Sequence, residues 1–207
     1  MNEYTYRIET PRDYAAVEAL TREAFWNVYR PGCDEHFIVH SLRGNANVVA
    51  RLNYLCECGN QICGHIFYTA ISIISDSGES FEALSFGPIS VRPDLQRTGI
   101  GSQLIRRSFS DARAAGYKAV IITGSPAYYS RFGFRPAADF GIVDADGSSY
   151  PELMACELVE GGLSGVHGRV HFCPEFFDID AEALAKFDAK FPPREKLKLP
   201  GQLWYAQ

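Results

Sequence analysis

The chain has 207 residues, 46% of them hydrophobic and 22% charged, which is enough apolar material for one ordinary core and too little net charge per residue for disorder. Its 25 acidic against 20 basic side chains leave a formal charge of -5, so there is no general electrostatic footprint for nucleic acid or an acidic membrane. Met1-Asn2-Glu3-Tyr4 lacks the basic-then-apolar pattern of a secretory signal, and the longest apolar stretch, around Ile66 to Ile74, is interrupted and far short of a membrane span; a soluble, cytoplasmic protein is expected, with neither nucleic acid nor membrane as partner.

Tyr4 to Glu9 alternates as a strand. Thr10-Pro11-Arg12-Asp13 supplies an N-cap, a proline at the first helical position and an early acid. Val17, Leu20, Ala24, Phe25 and Val28 then recur at helical steps, so a helix is expected to run until Pro31-Gly32. A second short helix, from about Asp34 to Leu42, carries Phe37, Ile38 and Leu42 on one side. Three β-rich runs follow, 47–58, 61–75 and 81–91, separated by Gly59-Asn60 and by Ser75 to Glu79, and they read as an antiparallel meander.

After Pro93 the pattern turns helical: Ile100, Leu104, Ile105, Phe109 and Ala112 make a buried face, and Gly116 closes the helix. Lys118 to Thr123 is a fifth strand, and strand, helix, strand in that order demands a crossover and hence a parallel pair within a mixed sheet. Gly124-Ser125-Pro126 opens a short helix to about Arg131, and Phe134-Arg135-Pro136 and Leu153 to Val159 are the last strands.

The fold class expected is α/β (α+β), with a mixed, mostly antiparallel central sheet of about seven strands flanked by about four helices. Residues 1–160 would form this domain. Residues 161–207, with one helix from Ala181 to Phe191 and the aromatics Phe172, Phe176, Phe177, Trp204 and Tyr205, would be a C-terminal extension packed on the domain or on a partner subunit.

Cys33, Cys56, Cys58, Cys63, Cys156 and Cys173 in a chain without an export signal are expected as reduced thiols. Cys56-x-Cys58-x4-Cys63 invites a zinc test, since thiolates are zinc ligands, but no Cys-x2-Cys or His-x3-His pair follows to complete a site. No metal is expected. A zinc-organised interaction domain using Cys56, Cys58, Cys63 and Cys173 is the reading a metal assay would exclude.

The stretch from Gly87 to Ser102 carries the chemistry: a strand stops at a proline and turns through Gly99-x-Gly101 into a helix. The first N–H groups of a helix lack intrahelical partners and sit at the positive end of its dipole, and glycines let an anion approach the backbone. No Gly-Lys-Ser/Thr follows as in a nucleotide P-loop, and Leu104 stands where a dinucleotide fingerprint needs a small residue. A phosphate-bearing ligand of another kind is indicated.

Gln96-x-x-Gly99-x-Gly101 behind a strand ending Gly87-Pro-Ile-Ser-Val91, with Tyr128-Tyr129-Ser-Arg-Phe-Gly133-Phe134 farther along, resembles the GNAT superfamily of acyl-CoA-dependent N-acyltransferases, in its small bacterial form with a C-terminal extension. The resemblance covers residues 4 to 160. It implies acetyl-CoA as cosubstrate, with the pyrophosphate cradled by the backbone of Gln96, Arg97, Thr98, Gly99, Ile100, Gly101 and Ser102. Pantetheine would pair with Ile89, Ser90 and Val91, and Pro126 and Tyr129 would border the coenzyme.

The reaction so implied is attack of a neutral amine on the acetyl thioester through a tetrahedral oxyanion. The resemblance makes the backbone N–H of Ile89 the oxyanion donor and Tyr129 the general acid toward the leaving thiolate, with Tyr128 structural. Relatives place a Glu or His on the strand before Ile89, but the same-face positions here are Gly87 and Ser85. Glu82 is then the expected base, provided that a bulge shifts the strand's parity. Glu35, His36, His65 and Ser85 are expected to border the acceptor, the first three as further candidates for the base.

The function expected is transfer of the acetyl group of acetyl-CoA to a primary amine of a small molecule or protein. The alternative is a non-catalytic acyl-CoA-binding sensor or interaction module. A homodimer is expected from family habit.

Overall fold

The computed structural model describes residues 4–202; Trp204 and Tyr205 lie outside them. β1 (Tyr4–Ile8) leads through a 3-10 turn at Pro11–Asp13 into α1 (Tyr14–Phe25), and α2 (Glu35–Leu42) follows. The entry to α1 is held by the Asp13 carboxylate, which accepts from the Thr10 N–H at 2.8 Å and hydroxyl at 2.7 Å and from Arg7 at 2.7 Å. α1 stops at Phe25, short of the expected Pro31. Asn27 takes φ 61 and its side chain accepts the Gly32 N–H at 2.8 Å, so a side-chain turn replaces the last expected helical turn. Val28 and Tyr29, expected in or next to the helix, therefore stand on an exposed loop.

The meander is β2 (Tyr54–Cys58), β3 (Gln61–Ile74) and β4 (Ser80–Val91). The expected strand from residue 47 is shorter, because Val49 to Asn53 form a 3-10 turn and Asn53 spends its side-chain oxygen on the Tyr68 N–H at 2.8 Å. Next come α3 (Ile100–Ala114), β5 (Ala119–Thr123), α4 (Pro126–Tyr129), β6 (Arg135–Pro136), β7 (Ile142–Val143) and β8 (Leu153–Glu157). β9 (Gly168–His171) and α5 (Ala181–Asp188) complete the described residues.

The sheet runs β1-β2-β3-β4-β5-β8-β6, with β9 pairing β3 and β7 at one end. Neighbours are antiparallel except β4–β5 and β7–β9. The class is the expected mixed, mostly antiparallel α/β sheet, with nine strands and five α-helices among the described residues. Two strands that escaped the pattern, β7 and β9, are only two and four residues long, too short for alternation to register.

Two features of β4 create an opening in the sheet and set which side chains border it. β4 and β5 pair only at Leu84 and Val120, after which β4 continues to Val91 while β5 ends at Thr123, so the two strands part. The β3–β4 register also slips between Ile66–Ile89 and Tyr68–Phe86, which sets Gly87 and Pro88 opposite Phe67 alone, a β-bulge. Leu84 and Phe86 before the bulge and Ile89 and Val91 after it then share one face, packed with Ile100, Leu104, Ile105 and Phe109 of α3. On the opposite face, Leu55 and Phe67 are covered by Val17 of α1 and by Ile38, Val39 and Leu42 of α2, and farther along the sheet is covered by residues 137–170.

The segment after residue 161 is woven into this frame. β9 pairs Ser72 to Ile74 of β3, and α5 docks on α1 and α2 through Phe187 and through Asp188, which accepts from the buried Arg22 at 2.6 Å. Beyond it, the Glu195 carbonyl accepts from Trp26 Nε1 at 2.9 Å, and Gln202 donates to the Asn27 carbonyl at 3.0 Å.

Candidate active site

The opening between β4 and β5 exposes backbone. Arg92 donates its N–H to the Cys63 carbonyl at 2.9 Å, and hydrogen-bonded pairs alternate along an antiparallel ladder. His65–Ser90 is thus the next hydrogen-bonded pair, while Ile89 and Val91, opposite Ile66 and Gly64, direct their N–H and C=O away from β3. β5 does not reach them, so they face a cleft of about 480 Å³ lined by Phe86 to Ile89, Val91, Gln96, Thr123 to Ser125, Tyr128 and Tyr129. Ser90 points to the other face, where its hydroxyl donates to Thr21 at 3.0 Å.

At one end of this cleft lies the loop before α3. Gln96 donates a side-chain N–H to the Val91 carbonyl at 3.2 Å and Thr98 its hydroxyl to the Leu95 carbonyl at 2.6 Å, so these side chains brace the loop itself. Arg97 and Gly99 adopt φ 65 and φ 99; the turn is left-handed there, which only glycine adopts without strain. The first helical bond of α3 runs from the Gln103 N–H to the Gly99 carbonyl at 3.0 Å. The N–H groups of Ile100, Gly101 and Ser102 are therefore without intrahelical acceptors and carry the positive end of a fifteen-residue helix.

Two tyrosines of α4 form the facing wall. The Tyr129 ring lies so closely over Gly124 that a Cβ there would come within 2.4 Å of it, and it packs on Phe86 and Phe134 at 5.8 and 5.7 Å between centroids. Burial, then the neighbouring Tyr29 and Tyr128, push its phenol well above the ordinary range, so it stays protonated. Its hydroxyl has no hydrogen-bond partner among the described residues. Tyr128, expected as structural, is not confined to packing. It lines the cleft too, and a Cβ on Gly101 would meet its hydroxyl at 3.2 Å; a single turn at a cleft edge wets both faces of the helix. Pro126 begins α4, outside the lining.

The far wall comes from the loop after α1 and from α2. Glu35 is half-buried against the cleft, its Oε2 accepting from the Asp34 N–H at 3.1 Å. Burial first, and the charge of Asp34 second, push its carboxyl up to about 7. A side compartment of about 320 Å³ continues the cleft past Glu35, lined further by Arg30, Asp34, Ser85, Phe172 and Phe177.

The acetyltransferase (GNAT) domain model matches residues 5–137 of this sequence. The chain belongs to the GNAT acetyltransferase family. The N-acetyltransferase YhbS of Escherichia coli strain K12 is 27% identical over 170 residues, 82% of this chain and 96% of the relative, and YjhQ of the same strain is 25% identical over 67% of this chain and 73% of the relative. The crystal structure of Escherichia coli YhbS in complex with CoA aligns with TM-score 0.75 at 25% identity, over 85% of this chain and 93% of that one. A GNAT acetyltransferase from Brucella melitensis in complex with acetyl-CoA aligns with TM-score 0.63 at 27% identity, over 85% and 99%.

This GNAT cleft takes in only part of the expected acceptor side. Glu35 and Ser85 border it. Glu82 does not. The bulge that was to bring it round exists, and Glu82 shares parity with Ile89, but it is exposed opposite Ser72, about 20 Å up the strand at ~3.3 Å per residue. Phe86 occupies the cleft instead. His36 is turned beneath α5, fully buried, 3.2 Å from Asp188; burial drives its ring down to about 4 against the pull of that carboxylate, so it is neutral near pH 7. His65 is fully buried under α1, 3.6 Å from Glu9, because His65 and Ser90 face away from the opening.

The cysteines do not assemble. Cys56 and Cys63 touch at 3.5 Å in the α3-side core, whereas Cys173 packs with Phe67 on the other face. Among the described residues no helix is long and apolar enough to cross a membrane.

Proposed function

We propose that the protein moves the acetyl group of acetyl-CoA to a primary amine by direct attack in the cleft between β4 and β5. The observation that carries this reading is the convergence there of the Ile89 N–H, the partnerless amides before Gln103 and the protonated Tyr129.

The pyrophosphate sits on the N–H groups of residues 97 to 102, where the dipole of α3 and the open turn at Gly99 favour an anion. Pantetheine lies along Ile89 to Val91 and takes up their unpaired N–H and C=O groups. The thioester carbonyl then meets the Ile89 N–H, which stabilises the oxyanion as it forms. Glu35 replaces Glu82 as base: with a carboxyl raised to about 7 it is ionised often enough near neutrality to draw a proton from an incoming ammonium. The amine nitrogen forms its bond to the carbonyl carbon, the C–S bond breaks, and the departing thiolate takes the Tyr129 proton. Glu35 passes the ammonium's proton to solvent and is ionised again; the nitrogen then sheds its surplus proton to that carboxylate, and solvent restores the proton of the phenol.

The test is calorimetric titration with acetyl-CoA, followed by release of free thiol in the presence of amines. A folded wild-type protein that fails to bind acetyl-CoA would sink the reading. Binding with no thiol release on any amine would favour a non-catalytic acyl-CoA sensor.

A further inference from the structure

We propose that the acceptor is a small arylalkylamine, its ammonium held at Glu35 and its aromatic body held in the side compartment; this rests on the acetyltransferase reading above. The compartment is continuous with the cleft through Tyr29, Glu35, Ile38, Phe86, Gly87 and Phe176, which line both. Whatever fills it therefore lies beside the cleft in which the thioester is proposed to sit.

Its walls are aromatic to an unusual degree. Phe177 and Tyr29 stand at its mouth 63% and 43% exposed, and the Phe177 ring lies 6.1 Å from Phe172 and 6.4 Å from Phe176. A large aromatic surface left to water beside a polar focus is the mark of a ligand site, and flat rings pair best with a flat partner. The backbone that carries Phe172, Phe176 and Phe177 is anchored. Phe172 directly follows β9, which is hydrogen-bonded to β3, and Glu175 accepts from Asn45 at 2.7 Å.

The polar focus selects a cation. Arg30 spends its charge on Asp34, 2.5 Å away, so with Glu35 ionised the three side chains sum to one negative charge. That matches one ammonium. A polyamine would set a second charge, and an amino sugar its hydroxyls, against Phe172, Phe176 and Phe177, where neither gains what a flat apolar ring gains. At about 320 Å³ the space suits a metabolite-sized body.

The test compares kcat/KM by thiol release at fixed acetyl-CoA for 2-phenylethylamine, tryptamine, propylamine, spermidine, glucosamine and a lysine-containing peptide. Burying one ring should favour the arylalkylamines over propylamine by at least about tenfold. Phe177→Ala, at an exposed position that spares folding, should shrink that ratio severalfold through KM. Equal or faster turnover of propylamine, spermidine, glucosamine or the peptide overturns the proposal. So does acetyl-CoA binding with neither acetylation nor calorimetric binding of either arylalkylamine. Failure to bind acetyl-CoA at all strikes the underlying reading instead and takes the proposal with it.

Discussion

Replacing Glu35 by Gln removes the one carboxyl in the cleft that titrates near neutrality, and its consequences can be worked out in advance. The rise from 4.5 to about 7 corresponds to about 3 kcal/mol of preference for the neutral acid, an upper figure because water reaches part of the group. The groups that face it are Asp34 and Arg30, held as an ion pair, and Tyr29 and Cys33, whose hydroxyl and thiol are pushed up chiefly by burial and stay protonated. Glu35 would then be ionised roughly a tenth at pH 6 and roughly nine-tenths at pH 8, so kcat/KM should climb about tenfold between them, while the free amine titrates well above, near ~10. Glu35→Gln should abolish the inflection and lower kcat about 100-fold. Stability must move in the matching sense. A carboxyl raised in the fold contributes most below its unfolded value, and that contribution fades as pH rises through about 7; the variant should thus lose less stability than wild type between about pH 5 and pH 8. The assay is thiol release at saturating acetyl-CoA across that window, with thermal melts in the same buffers. An unchanged inflection in Glu35→Gln would refute the role of this carboxylate.

Gly99→Asp sets an anion, in a strained left-handed conformation, where the pyrophosphate should lie, and titration calorimetry should show acetyl-CoA affinity reduced at least about tenfold with the circular dichroism spectrum intact. Tyr129→Phe should lower kcat roughly 100-fold with acetyl-CoA affinity unchanged; equal losses of binding and rate would make Tyr129 a packing residue. Asp188→Ala strands the Arg22 guanidinium, 5% exposed, and should cost about 3 kcal/mol in urea unfolding, with faster proteolysis after residue 180. Leu104→Ala, in the fully buried core between α3 and the sheet, should cost about 2–5 kcal/mol by the same measurement, and a loss below about 1 would contradict the packing described.

The geometry of the strand, glycine turn and short helix that border the cleft was legible because it is local. A glycine pair opening a helix, a strand ending at a proline and a tyrosine on the next short helix lie within one stretch of chain, and the backbone roles they imply depend on neighbours in sequence. The class of the sheet was legible for the same reason: alternation and helical spacing switch where the elements switch.

The acceptor side was not, because it is made by approach. Glu35 follows Asp34 in the sequence like any surface acid, and only the packing of α2 against the opening buries it beside the cleft. Glu82 satisfied the parity argument, since the bulge at Gly87-Pro88 is present, yet strand length put it out of reach. His36 and His65 were plausible by type and were removed by orientation alone, one under α5 and the other under α1.

The extension shows the same division most clearly. Its helix could be read from the spacing of apolar residues, and that helix is observed at Ala181–Asp188. That four residues of it would enter the sheet beside β3, and that Phe172, Phe176 and Phe177 would then stand across from Glu35, depends on contacts between segments about a hundred residues or more apart in the chain. Short-range pattern determined the glycine turn before α3 and the order of elements; the burial of one carboxylate and the wall built around it were decided only when distant segments packed, because desolvation is a property of the environment and not of the residue.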